Sequence, residues 1–169
     1  MTTSTSRIHP DAAALVQALD LQPHPEGGFF REVYRAPLTL HGLPHGGPRA
    51  AHTAIYFLLP AGTFSALHRV ASDEVWHHYD GNPVVLHLLR DDGEYSRVRL
   101  GRSIRDGERP QHVVPAGTWQ AAVPDGERYA LCGCTVAPGF EFADFAMPSR
   151  EELLARFPKH ADVVRNLTR

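Results

Sequence analysis

Cysteine is scarce in this sequence: Cys132 and Cys134 are the only two among 169 residues. They are too few and too close together for a disulfide framework, and a bridge between alternate residues of one strand does not suit the bond's geometry. We read them as small core side chains rather than a redox or metal pair. No run approaches the roughly 18 apolar residues that a membrane-crossing helix requires. The opening MTTSTSRIHPDAAALVQALD lacks the long apolar segment of a signal peptide. Nor is there a basic run to track a phosphate backbone, since 17 lysines and arginines stand against 19 aspartates and glutamates, a formal net charge of -2. Nucleic acid and membrane are therefore not expected as partners. There is no internal repeat or low-complexity segment. A soluble, cytoplasmic protein is the expectation, and 43% apolar residues suffices for one sizeable core in a single domain spanning 1–169.

What the chain does contain is β punctuation. Fourteen glycines and fourteen prolines separate short β-rich runs. Strands are predicted near 28–35, 53–59, 65–70, 74–79, 83–89, 95–100, 111–114, 119–123, 129–136 and 140–145, a spacing that suits a sandwich or barrel. Helical signals lie at the ends. Ile8, Ala12, Leu15, Val16 and Leu19 recur at helical spacing, predicting a helix over about 10–20. Ser149 and Glu152 form a capping box that opens a helical segment over about 149–167, with Pro158 stopping its first turns. The glycine-, proline- and histidine-rich stretch RAPLTLHGLPHGGPRAAH reads as a surface loop, the alternative being a cover over one mouth of a barrel.

The stretch GTFSALHRVASDEVWHHYDG carries the chemistry. Gly62, His68, Glu74 and Gly81 fall on the pattern G-x5-H-x-H-x3-E-x6-G, with Val70 in place of the second histidine. Downstream, VPAGTWQ supplies Pro115 and Gly117 of a P-x-G-x2-H core but has Gln120 at the histidine, with Arg109 and Pro124 at the flanking glycine and asparagine positions. On these motifs the sequence resembles the cupin superfamily. LQPHPEGGFFREVYRA, DEVWHHYDGNP, VPAGTWQAAVP and PGFEFADFAMPSREELLARFP extend the likeness, from about Leu21 to Pro158, to a branch of small single-domain cupins described as a domain of unknown function. The resemblance implies a mostly β double-stranded β-helix, or jelly-roll barrel, over about 28–146 with short terminal helices. It also implies a homodimer.

Three readings of the site follow. In the first, His68 and Glu74, joined by Gln120 and by His78 if that residue turns inward, hold iron, manganese, nickel or zinc. A regular strand puts Glu74, Trp76 and His78 on one face and His77 on the other, whereas a bulge exchanges the two histidines. In the second, His68 is a base for proton transfer beside a carbonyl, oriented by Glu74 or Asp73, with Tyr56 or Tyr129 as the acid. Epimerase relatives of the superfamily use a histidine and a tyrosine in this way. In the third, the pocket binds a sugar, nucleotide or organic acid without chemistry, with Trp76 and Trp119 as stacking faces and Arg31 as an anion partner. Arg31 and Glu32 are neighbours in a strand, so one of them faces inward. His77 is a further candidate contact. His24, in PHPEGG, reads as a structural residue at a turn shaped by Gly27 and Gly28. His9, His41, His45 and His160 read as surface residues, and His87 as a hydrogen-bonded core histidine. Together these lines predict a small-molecule protein, an enzyme on a small sugar-like or carboxylic substrate or a non-catalytic binder.

Overall fold

A computed structural model describes residues 8–169. Helix α1 (Pro10–Ala18) starts with Pro10 in its first turn, and the His9 side chain accepts from the Asp11 N–H as its cap. Thirteen strands follow: β1 (Gln22–Pro23), β2 (Phe29–Arg35), β3 (Thr39–Leu40), β4 (Arg49–Ala50), β5 (Thr53–Pro60), β6 (Ser65–Val70), β7 (Asp73–Gly81), β8 (Val84–Leu89), β9 (Tyr95–Leu100), β10 (Gln111–Val114), β11 (Trp119–Pro124), β12 (Tyr129–Ala137) and β13 (Phe145–Ala146). Helices α2 (Arg150–Arg156) and α3 (Ala161–Asn166) close the chain, the first opened by the Ser149–Glu152 capping box. Among the described residues, no helix is long and apolar enough to cross a membrane.

The strands form a jelly roll of two facing antiparallel sheets, ordered β1-β2-β5-β12-β7-β10 and β13-β6-β11-β8-β9. Alternation along each strand decides what faces inward. Phe57, Leu59, Trp76, Leu86, Leu88, Leu100, Val114 and Cys132 make the core between the sheets. On the outer side of β6 and β11, Leu67 and Trp119 pack against Leu153, Phe157, Val164 and Leu167 of the C-terminal segment. Helix α1 lays Ala12 over Leu58 and Tyr129. Two bulges reset the pleat of the larger sheet. One falls at Val33, between the pairs Glu32↔Ile55 and Tyr34↔Ala54. The other falls at Tyr79, between His78↔Cys132 and Asp80↔Leu131.

Two segments differ from the sequence expectation. The stretch over 36–52 is not a free surface loop: β3 and β4 form a two-stranded ribbon, and Arg49 turns inward to a bidentate pair with Asp144, Nη2 to Oδ1 at 2.6 Å and Nε to Oδ2 at 2.7 Å. His45 within it bonds the Ser72 hydroxyl at 2.9 Å and is not a simple surface residue. The expected strand over 140–145 is instead a 3-10 turn (Phe142–Asp144) leading into the two-residue β13. Within this turn Asp144 is held by Arg49, and Phe140, Phe142 and Phe145 gather edge to face.

Candidate functional site

At one end of the jelly roll the sheets enclose a cavity of about 90 Å³. Its floor is polar. β6 carries His68 inward, and its Nδ1–H donates to the Ala66 carbonyl at 2.8 Å. A carbonyl only accepts, so this bond places a proton on Nδ1 and leaves Nε2 as the free nitrogen. Nε2 lies 3.3 Å from Glu26 Oε2. Glu26 comes from the turn between β1 and β2, where Ser65 Oγ donates to its Oε1 at 2.8 Å and Arg169 Nη1 donates to its backbone carbonyl at 2.6 Å. His24 Nδ1 accepts from the Glu26 N–H at 3.2 Å and stands 3.5 Å from Oε2. From β7, Glu74 reaches the same floor and accepts from Gln120 Nε2, while Gln120 Oε1 accepts from Trp76 Nε1 at 2.9 Å.

The walls are aromatic. Phe30 and Phe57 stand on the sheet side and Phe140, Phe142 and Phe145 on the cover. The Phe145 ring stacks on His68 with centroids 5.3 Å apart. The rim holds Arg35 between Glu32 and Glu141.

Burial sets the protonation states. It pushes the Glu26 carboxyl up to about 8, against the opposing pull of the Ser65 hydroxyl and Arg169. It draws His24 down to about 4, with His68 adding to the fall. Burial also lowers His68, opposed by Glu74 and the Ala66 carbonyl, and raises Glu74, with His68 opposing and Glu26 adding. Near neutral pH, His68 is therefore a neutral base facing a protonated Glu26.

These states carry a signed stability prediction. Between the ordinary 4.5 and about 8, the folded chain keeps a proton on Glu26 that the unfolded chain has released, so Glu26 makes stability fall as pH rises. His24 acts oppositely between about 4 and 6.5, where the unfolded chain is protonated and the folded chain is not. Above 6.5 the Glu26 slope stands free of that opposition. Thermal melts should fall from pH 6.5 to 8 by roughly 3–6 °C per pH unit, the effect of about 1.4 kcal/mol. Glu26→Gln should flatten this slope, and an unchanged slope in the variant would assign it elsewhere.

The structure gathers some of the sequence candidates here and disperses others. His68, Glu74 and Glu32 line the cavity, and Gln120 backs it through Glu74. Tyr56 lies on the opposite face of β5, edge to face with Tyr79, so it is not the acid of this site. Tyr129 is also remote, its hydroxyl donating to Asp80 at 2.6 Å. Arg31 points outward to Asp20 because β2 alternation turns Glu32 in. Trp119 faces the C-terminal helices and donates to Asp91, since its neighbour Gln120 takes the inward position. Trp76 is inward but beneath the cavity, packed edge to face on Phe57. His77 faces outward to the Thr135 hydroxyl. His78 is inward yet four residues along the strand from Glu74, with Trp76 between them, and it bonds the Asn82 carbonyl at 2.9 Å. His24 is part of the cavity wall as well as of its turn. Cys134 lines the cavity next to Glu74, whereas Cys132 is core.

The four-donor metal set is accordingly not assembled. Gln120 turns its carbonyl to Trp76 and offers only N–H toward Glu74, His78 is elsewhere, and Val70 has no donor. Among the described residues, no three His, Cys, Asp or Glu side chains converge on a common cation position. The residues present do not fit a metal centre built from that set.

Glu26 and the aromatic cover were not identified as site residues in the sequence. The only signal for Glu26 was an acid directly before the Gly27–Gly28 pair, two residues after His24.

Comparison with known proteins places these observations in a family. The model described as "Cupin superfamily (DUF985)" matches residues 13–148. The uncharacterized protein YML079W of Saccharomyces cerevisiae is 29% identical over 154 residues, covering 83% of this chain and 76% of its own length. Among solved structures, protein SO0799 of Shewanella oneidensis superposes with a TM-score of 0.87 at 36% identity, covering 96% of this chain and 99% of that one. A hypothetical protein from Leishmania major gives a TM-score of 0.88 at 32% identity, covering 93% and 98% of the two chains.

Proposed function

This chain belongs to the cupin superfamily, and on that premise we propose that its cavity is an acid–base site acting on a small polar molecule that carries a carbonyl. The observation that supports the reading is the buried pair of His68 Nε2 and Glu26 Oε2, 3.3 Å apart, one neutral and one protonated near pH 7. His68 takes the proton from the carbon beside the carbonyl. The C–H electron pair moves into the new C=C bond, the carbonyl π pair goes to oxygen, and that oxygen takes the Glu26 proton. The result is an enol between an imidazolium and a carboxylate, whose opposite charges offset one another at short range. Returning a proton to carbon, at the same or the neighbouring position, completes an isomerisation or epimerisation. Glu74 beside His68 adds a second carboxyl that favours the imidazolium. Glu26 takes the role that sequence reasoning gave to Tyr56.

Incubation in deuterium oxide with small ketones, hydroxyaldehydes and keto sugars tests this. Proton NMR should show loss of the signal next to the carbonyl, dependent on intact protein. Retained binding with no exchange on any of them would make the protein a binder instead.

We also infer that two copies pair through the outer face of the six-stranded sheet. Tyr34, Tyr79 and Val113 stand 44–50% exposed there, an apolar patch of the kind that marks an interface. Light scattering should report a dimer that Val113→Glu with Tyr34→Glu converts to monomer. A monomeric parent at every soluble concentration would refute it.

A further inference from the structure

The cavity's ionisable groups are unbalanced in a way that specifies its ligand. Four carboxyls line it (Glu26, Glu32, Glu74 and Glu141) against a single guanidinium, Arg35. That guanidinium is committed. Nε and Nη2 donate to the two Glu32 oxygens at 2.9 Å, Nη2 also to the Phe140 carbonyl at 3.0 Å, and Nη1 to Glu141 at 2.7 Å. A ligand carboxylate would have to displace a rim acid to reach it. Deeper in, it would meet two imidazoles that burial keeps neutral and two further carboxyls.

A cation finds the opposite. The Glu26 and Glu74 residues are 6% and 7% exposed and both face the cavity. Among the described residues, the nitrogens that approach Glu26 Oε2 within 4 Å are those of the two imidazoles. Glu74 gives Oε2 to the Gln120 amide and has the weakly donating Cys134 thiol as its other hydrogen-bond partner among the described residues. The phenyl rings of Phe30, Phe57, Phe142 and Phe145 supply the negative faces that attract a cation and the apolar surface that takes up a stem.

We propose that the cavity binds a small organic monocation, a primary ammonium on a short apolar stem, with its N–H groups on Glu26 and Glu74 and its stem among the phenyl rings. At about 90 Å³, the space admits a stem of only a few carbons. This deepens the acid–base reading and rests on its view of the cavity as the ligand site, but not on the identity of the reaction. Ammonium binding replaces a neutral carboxyl by a carboxylate, so a proton passes from Glu26 or Glu74 to the buffer as the complex forms.

Titration calorimetry at pH 7 with propylamine, propionate and propanol, each in phosphate and in HEPES, tests the idea on the intact chain. Propylammonium should bind at least about tenfold tighter than either comparison. The difference in heat between buffers should report release of about half to one proton per site. Glu74→Gln should weaken the amine by about tenfold or more while leaving propanol unchanged. The proton count on the parent stands even where a variant does not fold. Propionate binding as tightly as propylamine, or amine binding without proton release, overturns the inference. If ketones exchange deuterium while the amine shows no preference, the cation fails and the acid–base reading survives. If nothing binds and nothing exchanges, both fall.

Discussion

His68→Asn should lower solvent-deuterium exchange by about 10²–10⁴-fold, the range over which a positioned base contributes, while leaving the protein folded. Asparagine can still donate to the Ala66 carbonyl that now accepts from Nδ1, so the local backbone keeps its partner. What disappears is Nε2, the atom facing Glu26. In a second variant, His68→Gly, which vacates the whole ring stacked on Phe145, added imidazole should restore part of the rate. Far-ultraviolet circular dichroism and proton NMR on the same sample separate loss of chemistry from loss of structure. Unaltered exchange in a folded variant would remove His68 from the mechanism.

Gly27→Ala should cost about 2–3 kcal/mol, roughly 4–12 °C in the melting temperature of a chain this long. Gly27 sits at φ +114°, and a Cβ there would stand 2.3 Å from the Phe64 carbonyl oxygen. A backbone atom cannot swing aside as a side-chain tip can, so the turn must move and Glu26 must move with it. Gly46 is the control: its φ of +77° is also left-handed, but no atom lies within 4 Å of a Cβ, so alanine costs only about 1–2 kcal/mol. The Gly27 variant should also lose the fall in stability between pH 6.5 and 8, because its Glu26 is no longer enclosed. Equal melting temperatures for the two variants would show that close packing at Gly27 does not matter.

The strands were legible because turns and alternation are local. Nine of the ten predicted runs of β-forming residues map onto the two sheets, and the capping box at Ser149 opens α2. His68 and Glu74 were found because they share one stretch with a recognisable spacing. Glu26 was not, because it enters the cavity from a turn 42 residues before His68, and no spacing rule connects a turn to the strand it meets in space. The same holds for Asp144, whose partner Arg49 is 95 residues away and which lies in a 3-10 turn where a strand was expected. Trp119 is a different kind of miss. It and Gln120 are adjacent in a strand and cannot both face inward, so accepting Gln120 at the site already sends the indole to the other side. The pair Arg31 and Glu32 obeyed that logic once the structure fixed which one points in.

An indole nitrogen can donate a hydrogen bond but never accept one, and Trp76 uses this on Gln120. The amide therefore cannot turn over without leaving the indole unpaired, and its positive end stays fixed on Glu74. A residue buried in the packing layer thereby sets the polarity of the cavity floor. Core and site cannot drift apart by independent substitution: an acid at position 120 would set two carboxyls against each other, and a phenylalanine at position 76 would release the amide. Positions 74, 76 and 120 are changeable only as a set, and that constraint ties the chemistry of the cavity to the packing between the sheets.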